Sequence, residues 1–231
     1  ALTVQDTQGS VRLLSTAMRM RNEADAERIC RYLRERYPHI PLILDAKRGD
    51  IGSTAQGYVS AFLEAGAPFP CDALTINPYM GLDTIEPHVA AAEQYGKGVI
   101  VLARTSNPGS ADFQSKSLEG APLFERVVEA LAPMVERLKG DCGWSGLMLV
   151  TGATGPEEAR RLRELAPDAL FLVPGYGAQG AVAAEALAGF RQQGNRLVGG
   201  VVSASRSVNF PAGSAEADTL DGWRIAVTEA I

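Results

Sequence analysis

The sequence predicts an α/β fold of the (β/α)8 TIM-barrel type, with the first two βα units shortened or missing. Three observations predict it. Short apolar runs recur along the chain, and they are near-continuously apolar rather than alternating, as parallel strands covered on both faces are. Helical patterns separate the runs, and strands alternating with helices indicate a parallel sheet. Each run also ends in a small, polar or glycine-rich turn. A barrel builds its site from the loops at the carboxyl ends of many strands, whereas a doubly wound open sheet gathers such loops near one switch point.

Taken in order, Val11–Met20 fits a strand and a helix equally. Arg21–Tyr37 reads as one amphipathic helix with Ala26, Ile29, Cys30 and Leu33 on one face. This leaves little room for two βα units before Leu42, where the missing pair of strands belongs. Strands are expected at Leu42–Asp45, Ala73–Asn77, Gly98–Ala103, Leu147–Thr151, Ala169–Val173 and Leu197–Ser203, which is two short of a closed barrel. The helix that starts near Ser53 is expected to close at Gly66. Phe124, Val127, Val128 and Leu131 have the i, i+3, i+4, i+7 spacing of a buried helix face. Pro156, after Thr154 and Gly155, is a good first residue for the next helix.

A length of 231 residues with 46% apolar content suits one domain spanning residues 1–231. The chain opens at Ala1 rather than Met, so its amino-terminal part is expected to be incomplete. A net charge of −5 with no basic patch argues against a nucleic-acid surface. Cys30, Cys71 and Cys142 form no metal-binding spacing and read as buried free thiols of a reducing cytosol. His39 and His88 lack acidic or cysteine neighbours at ligand spacing, so no metal site is expected. No run of apolar residues is long enough to span a membrane, and no signal peptide is visible. A cytoplasmic protein without membrane or nucleic-acid partners is the expectation.

The polar residues at the strand ends carry the chemistry. Asp45 and Lys47 follow the apolar run Pro41–Leu44 and, two residues apart on a strand, share a face. A carboxylate beside an ammonium at the mouth of a buried strand is costly unless paired or used. A structural ion pair is the plain alternative, but at the rim of a barrel a functional pair is the more frequent case. Asp50 lies beyond the strand, where it can cap the following helix. Gly175, Gly177 and Gly180 permit close backbone approach, Gln179 adds an amide donor, and Arg206 one strand later is a fork-shaped cation. Together they read as a phosphate site of the kind barrels build after their last two strands. Ser106-Asn107-Pro108-Gly109 is equally an ordinary turn or a substrate contact. Tyr79 and Met80 line or support the site, and Trp144 and Trp223 receive no role.

The segment Leu-Asp-Ala-Lys-Arg-Gly-Asp-Ile-Gly-Ser-Thr at 44–54 resembles the signature of the orotidine 5′-phosphate decarboxylase family, in its bacterial branch with the Asp-x-Lys-Arg-Gly-Asp-Ile motif. The resemblance continues, in the family's order, through Asn77–Gly81, Arg104–Gly109, Pro174–Gly180 and Ser205-Arg206, and covers roughly residues 41 to 210. It implies a (β/α)8 barrel acting as a homodimer that converts orotidine 5′-phosphate to UMP and CO2, with no metal and no organic cofactor. It implies Lys47 as the acid that protonates C6 and Asp45 as the carboxylate that orients it. Asp50, Ile51 and Thr54 would reach the neighbouring subunit's site. Ser106 would hydrogen-bond the pyrimidine, and Gln179 and Arg206 would hold the phosphate. The family also carries an aspartate and a lysine on its first two strands. Lys47 is the first lysine of this chain, so the second-strand lysine has no counterpart in residues 1–40.

Two alternatives stay open at this point. Sugar-phosphate decarboxylases or aldolases of the same superfamily share an Asp-x-Lys-x-x-Asp motif and use magnesium. An inactive, truncated relative that binds UMP without turnover is the other.

Overall fold

The computed structural model describes residues 23–177, 179–204 and 219–229. The ambiguous stretch Val11–Met20, the expected first two βα units, Ser205 and Arg206 lie outside them. Helix α1 (Glu23–Arg36) leads into β1 (Ile43–Arg48), α2 (Gly52–Phe62), β2 (Ala73–Ile76), α3 (Leu82–Tyr95) and β3 (Gly98–Arg104). A 3-10 turn at Pro108–Asp112 and a hairpin of β4 (Ser117–Leu118) and β5 (Ala121–Pro122) follow. Next come α4 (Leu123–Arg137), β6 (Ser145–Thr151), α5 (Pro156–Leu165), β7 (Ala169–Val173) and α6 (Ala183–Ala186). A hairpin of β8 (Arg191–Gln193) and β9 (Arg196–Val198), then β10 (Gly200–Val202) and α7 (Leu220–Glu229), complete the described chain.

Six strands form one sheet in the order β1-β2-β3-β6-β7-β10, and every pairing is parallel. Alternate residues of these strands belong to two apolar clusters, as the period of two requires. Leu74, Val99, Val101, Leu147, Leu149 and Phe171 pack with residues of α2 to α5. Ala73, Ile100, Met148, Val150 and Leu172 form the second cluster on the opposite face, joined by Ile43, Leu102, Leu170 and Val201. That second face is the one a TIM barrel turns to its interior. Helix α4 buries Phe124, Val128 and Leu131 of the face read from spacing, and Val135 beyond it; Val127 is half-buried against the same cluster, and α5 opens at Pro156 as expected.

Some expectations shift. Leu197–Ser203 is two strands: β9 pairs with β8 and β10 joins the sheet. Gly199 separates them with φ 103°, and a Cβ there would lie 2.8 Å from the Trp144 ring. Helix α2 ends at Phe62, so Gly66 lies in the turn beyond it rather than at its cap. Cys30 and Cys71 are buried, but Cys142 is exposed in the turn before β6. Burial pushes the Cys71 thiol up to about 12, which leaves it inert.

The amino-terminal ends of the strands are tied by structural charges. Asp72 Oδ2 accepts from Arg34 Nη1 at 2.6 Å and from the Leu42 N–H at 2.7 Å, which fixes α1 against the sheet. Arg163 is buried, and among the described residues its guanidinium bonds to carbonyls rather than to a carboxylate. Its guanidinium donates to the carbonyls of Ala169 (2.6 Å), Gly199 (2.7 Å) and Gly189 (2.8 Å) and lies 3.8 Å from the Phe171 ring centroid. Burial lowers its pKa to about 10, so it stays charged at neutral pH. Among the described residues no helix is long and apolar enough to cross a membrane.

Candidate active site

The carboxyl end of β1 departs from regular strand geometry. Ile43 and Leu44 pair with Ala73 and Leu74, but the next pair is Arg48 with Ile76. Asp45, Ala46 and Lys47 therefore stand opposite Thr75 alone, a bulge of the kind that re-aims side chains beside active sites. Lys47 takes φ 47°, the left-handed region that a branched or long side chain rarely adopts. The expectation that Asp45 and Lys47 meet holds, but regular alternation is not what brings them together. The bulge and the turned backbone do so.

The pair itself is tight. Lys47 Nζ lies 2.6 Å from both Asp45 Oδ1 and Oδ2. Its side chains are 50% and 52% exposed, and an ion pair at such exposure contributes about 0–1 kcal/mol. A left-handed non-glycine residue costs about 1–3 kcal/mol. The fold therefore sustains a strain larger than the stability this pair returns, which points to use rather than to structure. Thr75 supports the bulge from inside the sheet. It is fully buried, accepts the Lys47 N–H at 2.9 Å and donates to Asp45 Oδ1 at 2.9 Å.

The rest of the motif has separable roles. Gly49 closes against Asn77, since a Cβ on it would lie 3.2 Å from the Asn77 Cβ and carbonyl oxygen. Arg48 turns to α2, its guanidinium 5.6 Å from the Tyr58 ring centroid. Asp50 does not cap α2. Ile51 holds that position, and Asp50 Oδ1 instead accepts the Ile51 N–H at 2.8 Å. Among the described residues no hydrogen bond or ion pair joins Asp50 to Asp45 or Lys47. Ile51, 60% exposed, and Thr54, also exposed, stand at the start of α2, and Tyr79, 83% exposed, and Met80 lie in the loop after β2.

Ser106 is held differently. A Cβ on Gly152 would lie 2.7 Å from the Ser106 Cα and N, and one on Gly175 would lie 2.8 Å from the Ser106 Cβ. Two glycines thus let the ends of β6 and β7 close on this residue. Thr154 Oγ1 donates to the Ser106 carbonyl at 2.9 Å, and the Gly152 N–H donates to Arg104 O at 2.7 Å. Gln114 accepts the Thr105 N–H and donates to Thr105 Oγ1, both at 2.9 Å. Arg104 reaches Glu158 Oε1 at 3.2 Å and the Ser110 hydroxyl, which ties the 3-10 turn and α5 to the same loop. Gln179 borders Gly175 too, with Oε1 3.5 Å from where a Cβ would stand. The structure therefore brings Ser106 and Gln179 to one glycine.

Reading the sequence missed Thr75, Gln114, Thr154 and the Arg104–Glu158 pair. Thr75 left a signal, as the one polar residue in the run Ala73–Ile76, where all four residues are buried. The others act through turns whose partners are far apart in sequence.

Comparison with known proteins identifies relatives of the chain. The family model described as Orotidine 5′-phosphate decarboxylase / HUMPS family matches residues 6–208. An orotidine 5′-phosphate decarboxylase of Janthinobacterium sp. (strain Marseille) is 47% identical over 161 residues, covering 70% of this chain and 55% of that protein. One from Cellvibrio japonicus (strain Ueda107) is 45% identical over 192 residues, covering 81% of this chain and 64% of that protein. The chain thus spans less than two thirds of the length of these two curated relatives. The structure of Leishmania donovani OMP decarboxylase superposes with a TM-score of 0.62 at 34% identity, over 90% of this chain and 73% of that one. Motif, sheet and likeness converge, and the chain belongs to the orotidine 5′-phosphate decarboxylase / HUMPS family.

Proposed function

We propose that this chain decarboxylates orotidine 5′-phosphate to UMP and CO2 in pyrimidine biosynthesis, without metal or organic cofactor. The observation that carries the proposal is the Lys47 ammonium held by both oxygens of Asp45 on a strained bulge at the carboxyl end of β1. In the reaction the bond from C6 to the carboxylate breaks and its electron pair stays on C6. Lys47 stabilises that charge and transfers a proton from Nζ to C6, after which solvent reprotonates it. Asp45 orients the ammonium beside the departing carboxylate. Ser106 hydrogen-bonds the pyrimidine, while Gln179 and Arg206 hold the phosphate. Binding energy from the phosphate, remote from C6, can then be expressed in the transition state.

The protein acts as a cytoplasmic homodimer in this proposal, with Asp50, Ile51 and Thr54 completing the site of a second copy. The absence of a bond from Asp50 to Lys47 within one chain and the exposure of Ile51 and Tyr79 support it.

The decisive experiment follows the fall in absorbance of orotidine 5′-phosphate in excess chelator. Turnover unaffected by the chelator supports the proposal, and a magnesium requirement points to the sugar-phosphate branch of the superfamily.

A further inference from the structure

We propose that Thr75 is a positioning residue of the reaction, its buried hydroxyl setting the aim of the Lys47 ammonium through two hydrogen bonds. This deepens the proposed decarboxylase function and rests on it. Thr75 is wholly buried, so it cannot touch substrate and can act only through its neighbours. It lies two residues after Ala73, on the face of β2 that joins the interior cluster. Asp45 stands likewise two residues after Ile43 on β1.

The hydroxyl has one proton and two lone pairs. Two oxygens compete for the proton: Asp45 Oδ1 at 2.9 Å and the Leu44 carbonyl at 3.4 Å. The shorter bond, to a carboxylate, is the stronger one. A lone pair meanwhile takes the Lys47 N–H at 2.9 Å. One side-chain oxygen therefore holds both ends of the ion pair, the Lys47 backbone and the Asp45 carboxylate. It replaces the partner that a regular ladder would give Lys47, since three residues of β1 face one residue of β2 there. The left-handed turn at Lys47 persists because this bond satisfies an amide that the bulge would otherwise leave unpaired.

Removing the hydroxyl at constant shape frees both ends. Thr75→Val is expected to lower kcat by about 10-fold to 10²-fold, as loss of a supporting partner or a small misplacement does. KM should change little, because Ser106 and Gln179 are anchored on other strands. Thr75→Ser keeps the hydroxyl and should restore kcat. Amide exchange at Lys47 gives a readout independent of turnover: slow in the parent chain and in Thr75→Ser, fast in Thr75→Val. If Thr75→Val does not fold, Thr75→Ala is measured in the same way.

A fall in kcat reversed by serine, with fast Lys47 exchange, supports the assignment. Unchanged kcat in Thr75→Val overturns it, and so does a serine variant as slow as the valine one. If the parent chain turns over no substrate, the decarboxylase reading fails on its own. Lys47 exchange then decides the claim about Thr75, with slow exchange in Thr75→Val contradicting it.

Discussion

The charged rim at β1 and the loop that carries Ser106 lie at the same end of one sheet, yet they are built on opposite terms. At β1 a bulge, a left-handed lysine and a half-exposed ion pair are held by a single buried hydroxyl. Around Ser106, two glycines admit close contact, and Thr154, Gln114, Arg104 and Glu158 fix the loop from several sides. Under the proposed function, the first region would hold reactive charges with few supports, and the second a binding group with many. Chemistry needs a charge aimed at one atom, which a strained backbone can supply. Binding a base needs a fixed edge, which close packing supplies.

The largest effect should come from the charged rim. Asp45→Asn keeps the shape but removes the charge that holds Lys47, and kcat is expected to fall by about 10²–10³-fold. Steady-state kinetics would check this, and a loss confined to KM would erase the distinction between the two regions. The Ser106 side should fail by another route. Gly152→Ala places a Cβ 2.7 Å from the Ser106 backbone, so it is expected to cost about 1–3 kcal/mol of stability and to weaken UMP binding. Urea unfolding and calorimetry measure the two consequences.

Smaller effects lie behind and below the rim. His88 is buried in α3, its Nδ1 donating to the Thr84 carbonyl at 3.2 Å while Nε2 has no partner among the described residues. Burial lowers its pKa from 6.5, so below that pH the unfolded chain takes a proton that the folded one refuses. Stability should therefore be lost as pH falls from about 6.5, and His88→Leu should flatten that slope in thermal melts. If the slope is unchanged, His88 is not its source. The smallest effect is chemical. A thiol reagent should label Cys142 in the folded chain and spare Cys30 and Cys71, without loss of activity.

How much of this was legible depends on what each segment needs from its partners. Buried parallel strands announce themselves, and Ala169–Val173 is found where the apolar run predicts it. Strand β6 begins earlier, at Ser145, because that buried hydroxyl donates to Val135 O and is hidden from any count of apolar residues. The split at Gly199 comes from the approach of Trp144, more than fifty residues away. In the candidate site, Asp45, Lys47, Ser106 and Gln179 stand out at strand ends and in the motif; the structure brings Lys47 to Asp45, and Ser106 and Gln179 each to Gly175. The bulge was not readable, because it exists only in the pairing of β1 with β2. Asp50 was misplaced as a possible cap for a local reason: the residue after it holds that position.

In the proposed reaction Lys47 performs the chemistry while the loops after β3 and β7 bind the nucleotide. The most direct test measures decarboxylation and UMP affinity on the same samples of the parent chain and Lys47→Ala. Turnover is expected to fall by about 10²–10⁴-fold in Lys47→Ala while UMP affinity is largely retained. Turnover that survives the loss of Lys47 would contradict it.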